Sequence, residues 1–98
     1  MNYEHIIVSS TAHVTTICLN RPQSMNAINA AMHEELQVAL DTFAADDDQF
    51  IGVITGTGQK AFCAGSDLKA IAEGSKHAGY PKNGYAGLIE RFDLNKPL

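Results

Sequence analysis

Met32, Leu36, Ala39, Leu40 and Phe43 are spaced by 4, 3, 1 and 3 residues, which keeps them on one face of a 3.6-residue helix. On both sides of this stripe the pattern changes to short β-branched and apolar runs, at residues 3–8 and 13–19 before it and 50–55 after it. A lone amphipathic helix set among strands has to bury its stripe against a sheet face, so the order ββαβ specifies a layered α/β unit.

Local signals refine that outline. Ser9-Ser10-Thr11-Ala12 separates the first two runs and predicts a hairpin loop. In the second run Val14, Thr16 and Cys18 alternate with Thr15, Ile17 and Leu19, so both faces are partly apolar and the strand belongs inside the layers. Pro22 ends it. Asn29 is placed as the helix N-cap, with Glu34 and Glu35 towards the positive end of the dipole. Asp46-Asp47-Asp48 would oppose the dipole and belongs to the exit turn, where consecutive carboxylates point apart and form a solvated bend, not a metal cluster. The third strand, 50–55, is expected to be buried. Residues 68–72 predict a short helix stopped by Gly74, residues 75–87 a loop, and residues 88–94 a further helical piece with Leu88, Ile89 and Phe92 inward.

At 98 residues the chain has room for one small domain. A net charge of −4 with scattered cations disfavours nucleic acid and anionic lipid as partners. No apolar stretch approaches the roughly 20 residues that span a bilayer, and the expectation is a soluble cytoplasmic protein. Cys18 and Cys63 lie far apart without metal-ligand spacing, and Cys63 is expected to pack as a small hydrophobe. His5, His13, His33 and His77 have no nucleophile or second ligand at motif spacing and are expected at the surface or at strand edges.

Two segments bear on chemistry. Gly56-Thr57-Gly58-Gln59-Lys60-Ala61 follows a strand and matches G-x-G-x-x-A, so a dinucleotide-binding module is one alternative. That fingerprint must open a helix, whereas here helix-opening residues come only at Ser66, and the position about 20 residues on is Lys76, not an acid. In the second segment Gly65 permits an unusual turn immediately before Ser66-Asp67. The first N–H groups of a helix lack intrahelical partners and can polarise a carbonyl, although an ordinary strand-to-helix turn has the same spacing. Asp67 is either a first-turn carboxylate or a general base, and Tyr80 and Tyr85 either line a pocket or anchor a loop.

The string Ala61-Phe62-Cys63-Ala64-Gly65-Ser66-Asp67-Leu68 is preceded by Ile54-Thr55-Gly56-Thr57-Gly58 and, earlier, by Leu19-Asn20-Arg21-Pro22 with Asn26-Ala27-Ile28. In order and spacing these resemble the enoyl-CoA hydratase/isomerase (crotonase) family over essentially the whole chain. With the tail of residues 88–98, the combination is most similar to the family's carnitinyl-CoA dehydratase branch. The resemblance implies the N-terminal ββαβ part of a crotonase (ClpP/crotonase spiral) fold and a role in binding an acyl-CoA thioester and stabilising its enolate oxyanion. It implies that the Ser66 backbone N–H is one oxyanion donor. Ala64, Gly65, Ser66, Asp67, Leu68 and Lys69 would border the acyl-CoA, with Ser24, Asn26 and Ala27 as a second CoA-contacting segment. Ser24 stands where the family often has a basic residue, so no ionic contact to the CoA phosphates is expected there. No cofactor or metal is implied beyond coenzyme A as part of the substrate, and relatives of full length are expected to be homo-oligomeric, as trimers or hexamers. The second donor and the acid and base carboxylates are expected beyond Leu98, so that the 98 residues alone are inactive. A non-catalytic association module is the remaining alternative.

Overall fold

The computed structural model describes residues 3–68 and 80–98. The helix expected at 68–72, Lys69 and His77 therefore lie wholly or mostly outside the described residues. Three strands, β1 (Ile6–Thr11), β2 (Val14–Leu19) and β3 (Ile51–Gly56), form one sheet in the order β1-β2-β3. β1 pairs with β2 antiparallel, from Ile6 opposite Leu19 to Thr11 opposite Val14. This register leaves only Ala12 and His13 for the turn, with φ of 51° and 69°. Two consecutive left-handed residues match the twist of a two-residue hairpin, so Ser9 to Thr11 are strand and not loop, and β1 lies three residues later than its sequence predicts.

Helix α1 (Ala30–Ala45) is capped as expected: Asn29 Oδ1 accepts the Met32 N–H at 2.9 Å. Its stripe of Met32, Leu36, Ala39, Leu40 and Phe43 is buried. Met32, Leu36, Ala39 and Leu40 form one core cluster with Ile6, Ile17 and Leu19 of the inner sheet face, and Val8 and Ile54 pack against it. At the other end Asp46 closes the helix, and Lys96 Nζ donates to the Phe43 carbonyl at 2.7 Å.

β3 follows α1 and pairs parallel to β2, from Val14 opposite Ile51 to Leu19 opposite Gly56. Contrary to expectation it is buried on one face only: Ile51, Val53 and Thr55 are exposed while Gly52 is covered. The sequence run is apolar on both faces, but among the described residues the sheet has a layer on only one. Across the outer face Ile7, Cys18 and Thr55 are neighbours, as are Thr16 and Val53.

Residues 80–91 are held on α1 by a polar stripe at i, i+4 and i+8. His33 Nδ1 accepts the Ala86 N–H at 3.0 Å. Gln37 donates to Asn83 Oδ1 at 2.7 Å and accepts the Asn83 N–H at 2.9 Å. Asp41 pairs with Arg91 at 2.9 Å. His33 and Gln37 are thus buried where the apolar count left them outside, because a second segment covers that side of the helix. Partial burial pushes the Asp41 carboxyl up, but hydrogen bonds from Gln37 and Arg91 and the charges of Arg91 and Lys82 outweigh it and hold the group below its ordinary value. The expected helix at 88–94 is absent. Tyr85–Gly87 is a 3-10 turn broken by left-handed Ala86, and Ile89 and Phe92 are 69% and 88% exposed. Gly87 is needed there, since a Cβ would stand 2.7 Å from the Gln37 Cα. Among the described residues no helix is long and apolar enough to cross a membrane.

Candidate functional site

Two loops leave the same end of the sheet, one after β2 and one after β3, and Asn26 joins them. It is 1% exposed and sits in the left-handed region with φ of 56°. Its Oδ1 accepts the Arg21 N–H, while its amide donates to the Thr57 and Ala61 carbonyls, each at 2.9 Å. Both amide donors and the carbonyl oxygen of the side chain are thus used in shaping the two loops. Residues 57–60 form bends and residue 61 is irregular, with no helix, so the element a dinucleotide fingerprint requires is missing after Gly56.

Ile28 and Ser66 then pair as a single parallel bridge. The Ile28 N–H donates to Gly65 O at 2.7 Å, and the Asp67 N–H donates to Ile28 O at 2.9 Å. In a parallel pairing this geometry turns the N–H and C=O of the intervening Ser66 to the opposite side. Among the described residues no hydrogen bond uses the Ser66 N–H. The neighbouring donors are committed: Ala64 N–H to Met25 O at 3.0 Å, and Gly65 N–H to Cys63 Sγ at 3.4 Å. Gly65 has φ of 95°, and a Cβ added there would meet nothing within 4 Å, so backbone conformation alone demands glycine.

Arg21 locks the loops from the side. Its Nη2 lies 2.9 Å from Asp67 Oδ2, and its Nη1 donates to the Ala27 carbonyl. The Asp67 carboxylate, read in the sequence as either a first-turn carboxylate or a general base, is engaged by Arg21 in this ion pair. Around this pair opens a groove of about 670 Å³ lined in part by Ser24, Ala27, Ala64, Ser66, Asp67 and Leu68. Residues 42 positions apart in the chain, Ser24 and Ser66, thus share one groove. Asn26 and Gly65 shape it, and Lys69 lies outside the described residues.

Two further residues contribute to the site. In sequence Arg21 is only the residue before a strand-ending proline. Tyr85 both anchors its loop and reaches the site: its ring meets His33 edge-on at 4.7 Å, and its Oη lies 3.0 Å from Ser66 Oγ. Cys63 packs against the core, as expected of a small hydrophobe.

The enoyl-CoA hydratase/isomerase family profile matches residues 14–96. The chain is 43% identical to a carnitinyl-CoA dehydratase of Proteus mirabilis (strain HI4320), an alignment covering 93% of this chain and 37% of the relative. It is 41% identical to a carnitinyl-CoA dehydratase of Salmonella arizonae, covering 97% and 36% respectively. Among solved structures, the crystal structure of a carnitinyl-CoA hydratase from Mycobacterium avium superposes with a TM-score of 0.86 at 38% identity, over 98% of this chain and 37% of that one. An enoyl-CoA hydratase from Mycobacterium tuberculosis H37Rv superposes with a TM-score of 0.79 at 34% identity, over 96% and 36%. The chain thus spans somewhat over a third of the length of the curated relatives it matches.

Proposed function

Because the chain belongs to the enoyl-CoA hydratase/isomerase family, we propose that its groove binds an acyl-CoA thioester and that the Ser66 N–H polarises the thioester carbonyl. The observation that carries this reading is the Ser66 N–H, which the bridge turns away from Ile28 and which no hydrogen bond among the described residues uses. A thioester oxygen at that N–H gains negative charge as an enolate forms or a nucleophile adds to the conjugated double bond. A donor already fixed in place stabilises that charge without reorganising. The bridge to Ile28, the left-handed Gly65 and the Arg21–Asp67 pair supply that fixity.

The division of labour follows from which groups are engaged. Asp67 is held by Arg21, so the groove's carboxylate serves as an anchor and not as an acid or base. The chain's part is to bind and polarise the thioester within a hydratase or dehydratase, with proton transfer assigned to carboxylates elsewhere in the enzyme. The Ser24 side of the groove takes the coenzyme A portion by hydrogen bonding and contact, without an ionic bond from Ser24.

Calorimetric titration tests this reading directly. Butyryl-CoA is expected to bind and NAD is not, and Ser66→Pro, which deletes the donor, weakens butyryl-CoA binding more than Ser66→Ala. Binding of NAD in preference to butyryl-CoA, or equal affinity of the two variants, overturns it.

A further inference from the structure

We propose that protonation of His33 releases residues 80–91 from α1, so that this buried imidazole is a pH-sensitive latch on the segment that reaches the Ser66 turn. The inference concerns the hold on that segment and does not depend on which ligand the groove takes.

The acceptor role fixes the charge state of the ring. His33 is buried, and its Nδ1 accepts the Ala86 N–H at 3.0 Å. A ring nitrogen accepts only while it carries no proton, so in the docked form the imidazole is neutral with its proton on Nε2. A second proton turns Nδ1 into a donor that faces a donor. Docking and protonation therefore exclude each other at this bond.

The latch holds a conformation that the segment does not favour by itself. Ala86 has φ of 59°, a left-handed backbone that alanine adopts rarely without an outside constraint. The other two holds along α1 do not respond in the same pH range. Gln37 and Asn83 are joined through amides, and the Asp41 carboxyl that pairs with Arg91 titrates below 3.8.

Among the described residues, the titratable groups around the ring come from three directions. Residues 80–91 contribute the Tyr80 and Tyr85 rings, at 5.5 and 4.7 Å. On α1, Glu34 is exposed, while Glu35 accepts the N–H groups of Glu4 and His5 on the side of β1. Next to Ser66, Asp67 is paired with Arg21. The effect reaches the site through Tyr85, whose Oη lies 3.0 Å from Ser66 Oγ. Release of the latch withdraws that hydroxyl from the turn.

Hydrogen–deuterium exchange of the 98-residue chain tests the latch. Mass spectrometry of a peptide covering residues 83–88, corrected for the intrinsic pH dependence of exchange, reads the docked population. With one proton binding only the released form at an ordinary imidazole value of about 6.5, protection there is expected to fall about tenfold between about pH 7.5 and about pH 5.5. A peptide from β2 is expected to keep its protection. His33→Asn, whose side-chain oxygen offers an acceptor that does not titrate, retains the protection and loses its pH dependence. Replacing His5, His13 and His77 together by Asn leaves the fall in place, a result that does not require the His33 variant to fold. Protection independent of pH in the parent, a matching fall in β2, an equal fall in His33→Asn, or loss of the fall in the triple variant overturns the latch.

Discussion

Arg21 Nη2 and Asp67 Oδ2 stand 2.9 Å apart across 46 residues of sequence, with 11% and 13% of their side chains exposed, and tie the loop after β2 to the turn that carries Ser66. A pair this well shielded costs far more to break from one side than to replace from both. Arg21→Leu is therefore expected to destabilise the fold by about 2–3 kcal/mol, and the double substitution with Asp67→Leu to recover part of it. Denaturant melts of the two single variants and the double variant check this, and strict additivity would show that the pair is not coupled.

At the Ser66 turn the contrast between two substitutions isolates the backbone donor. The Ser66 N–H is not part of the bridge to Ile28, so proline there removes a groove donor without removing a pairing bond. In an enzyme of family length carrying these residues, Ser66→Pro is expected to lower crotonyl-CoA turnover by about 10²-fold relative to Ser66→Ala. Equal turnover of the two, with similar thermal melts, would remove Ser66 from the oxyanion role.

Two faces of α1 respond differently to truncation. Leu40 is fully buried in the core, and Leu40→Ala is expected to cost roughly 2–5 kcal/mol. An apolar count places Gln37 outside and makes Gln37→Ala silent, but the structure buries it in a two-way bond with Asn83. Gln37→Ala is thus expected to cost about 1–2 kcal/mol, because the Asn83 N–H and Oδ1 lose their partners. Chemical denaturation of both variants checks the ranking, and a silent Gln37→Ala would refute the clamp.

Acid weakens the same clamp. The Asp41 carboxyl is held below its ordinary value of 3.8, so the folded chain binds its proton less readily than the unfolded one. The stabilisation is complete above 3.8 and is lost as pH falls through the lower folded value. Asp41 is half exposed, so the effect is modest. The stability difference between the parent chain and Asp41→Asn is expected to shrink as pH drops below 3.8, and a constant difference in thermal melts would contradict the assignment.

The open sheet predicts association. Ile51 and Val53 lie exposed on β3, which among the described residues pairs on one side only, with Ile7 on the same outer face. An uncovered apolar face and an unpaired edge invite pairing with other chains. The 98-residue chain is expected to scatter light as oligomers, and Val53→Lys to shift it towards monomer. A monodisperse monomer, or a Val53→Lys variant that scatters light as the parent does, would refute this.

The sequence alone determined the helix, its cap and the element order. These depend on neighbours three or four residues apart: the stripe from Met32 to Phe43, Asn29 before it, and the change of period on either side. It also marked the turn at Gly65 and Ser66, since left-handed backbone and helix opening are local demands. Tertiary structure alone decided which face of β3 was covered, because an apolar run on both faces does not say how many layers it will meet. It also decided the fate of His33, Gln37 and Asp41. Their polar stripe reads as a solvated face until residues 80–91 fold onto it. The same holds for the site: Arg21 meets Asp67, and Tyr85 meets Ser66, across separations that no local periodicity encodes, and only the crossing of two loops at one end of the sheet brings them together.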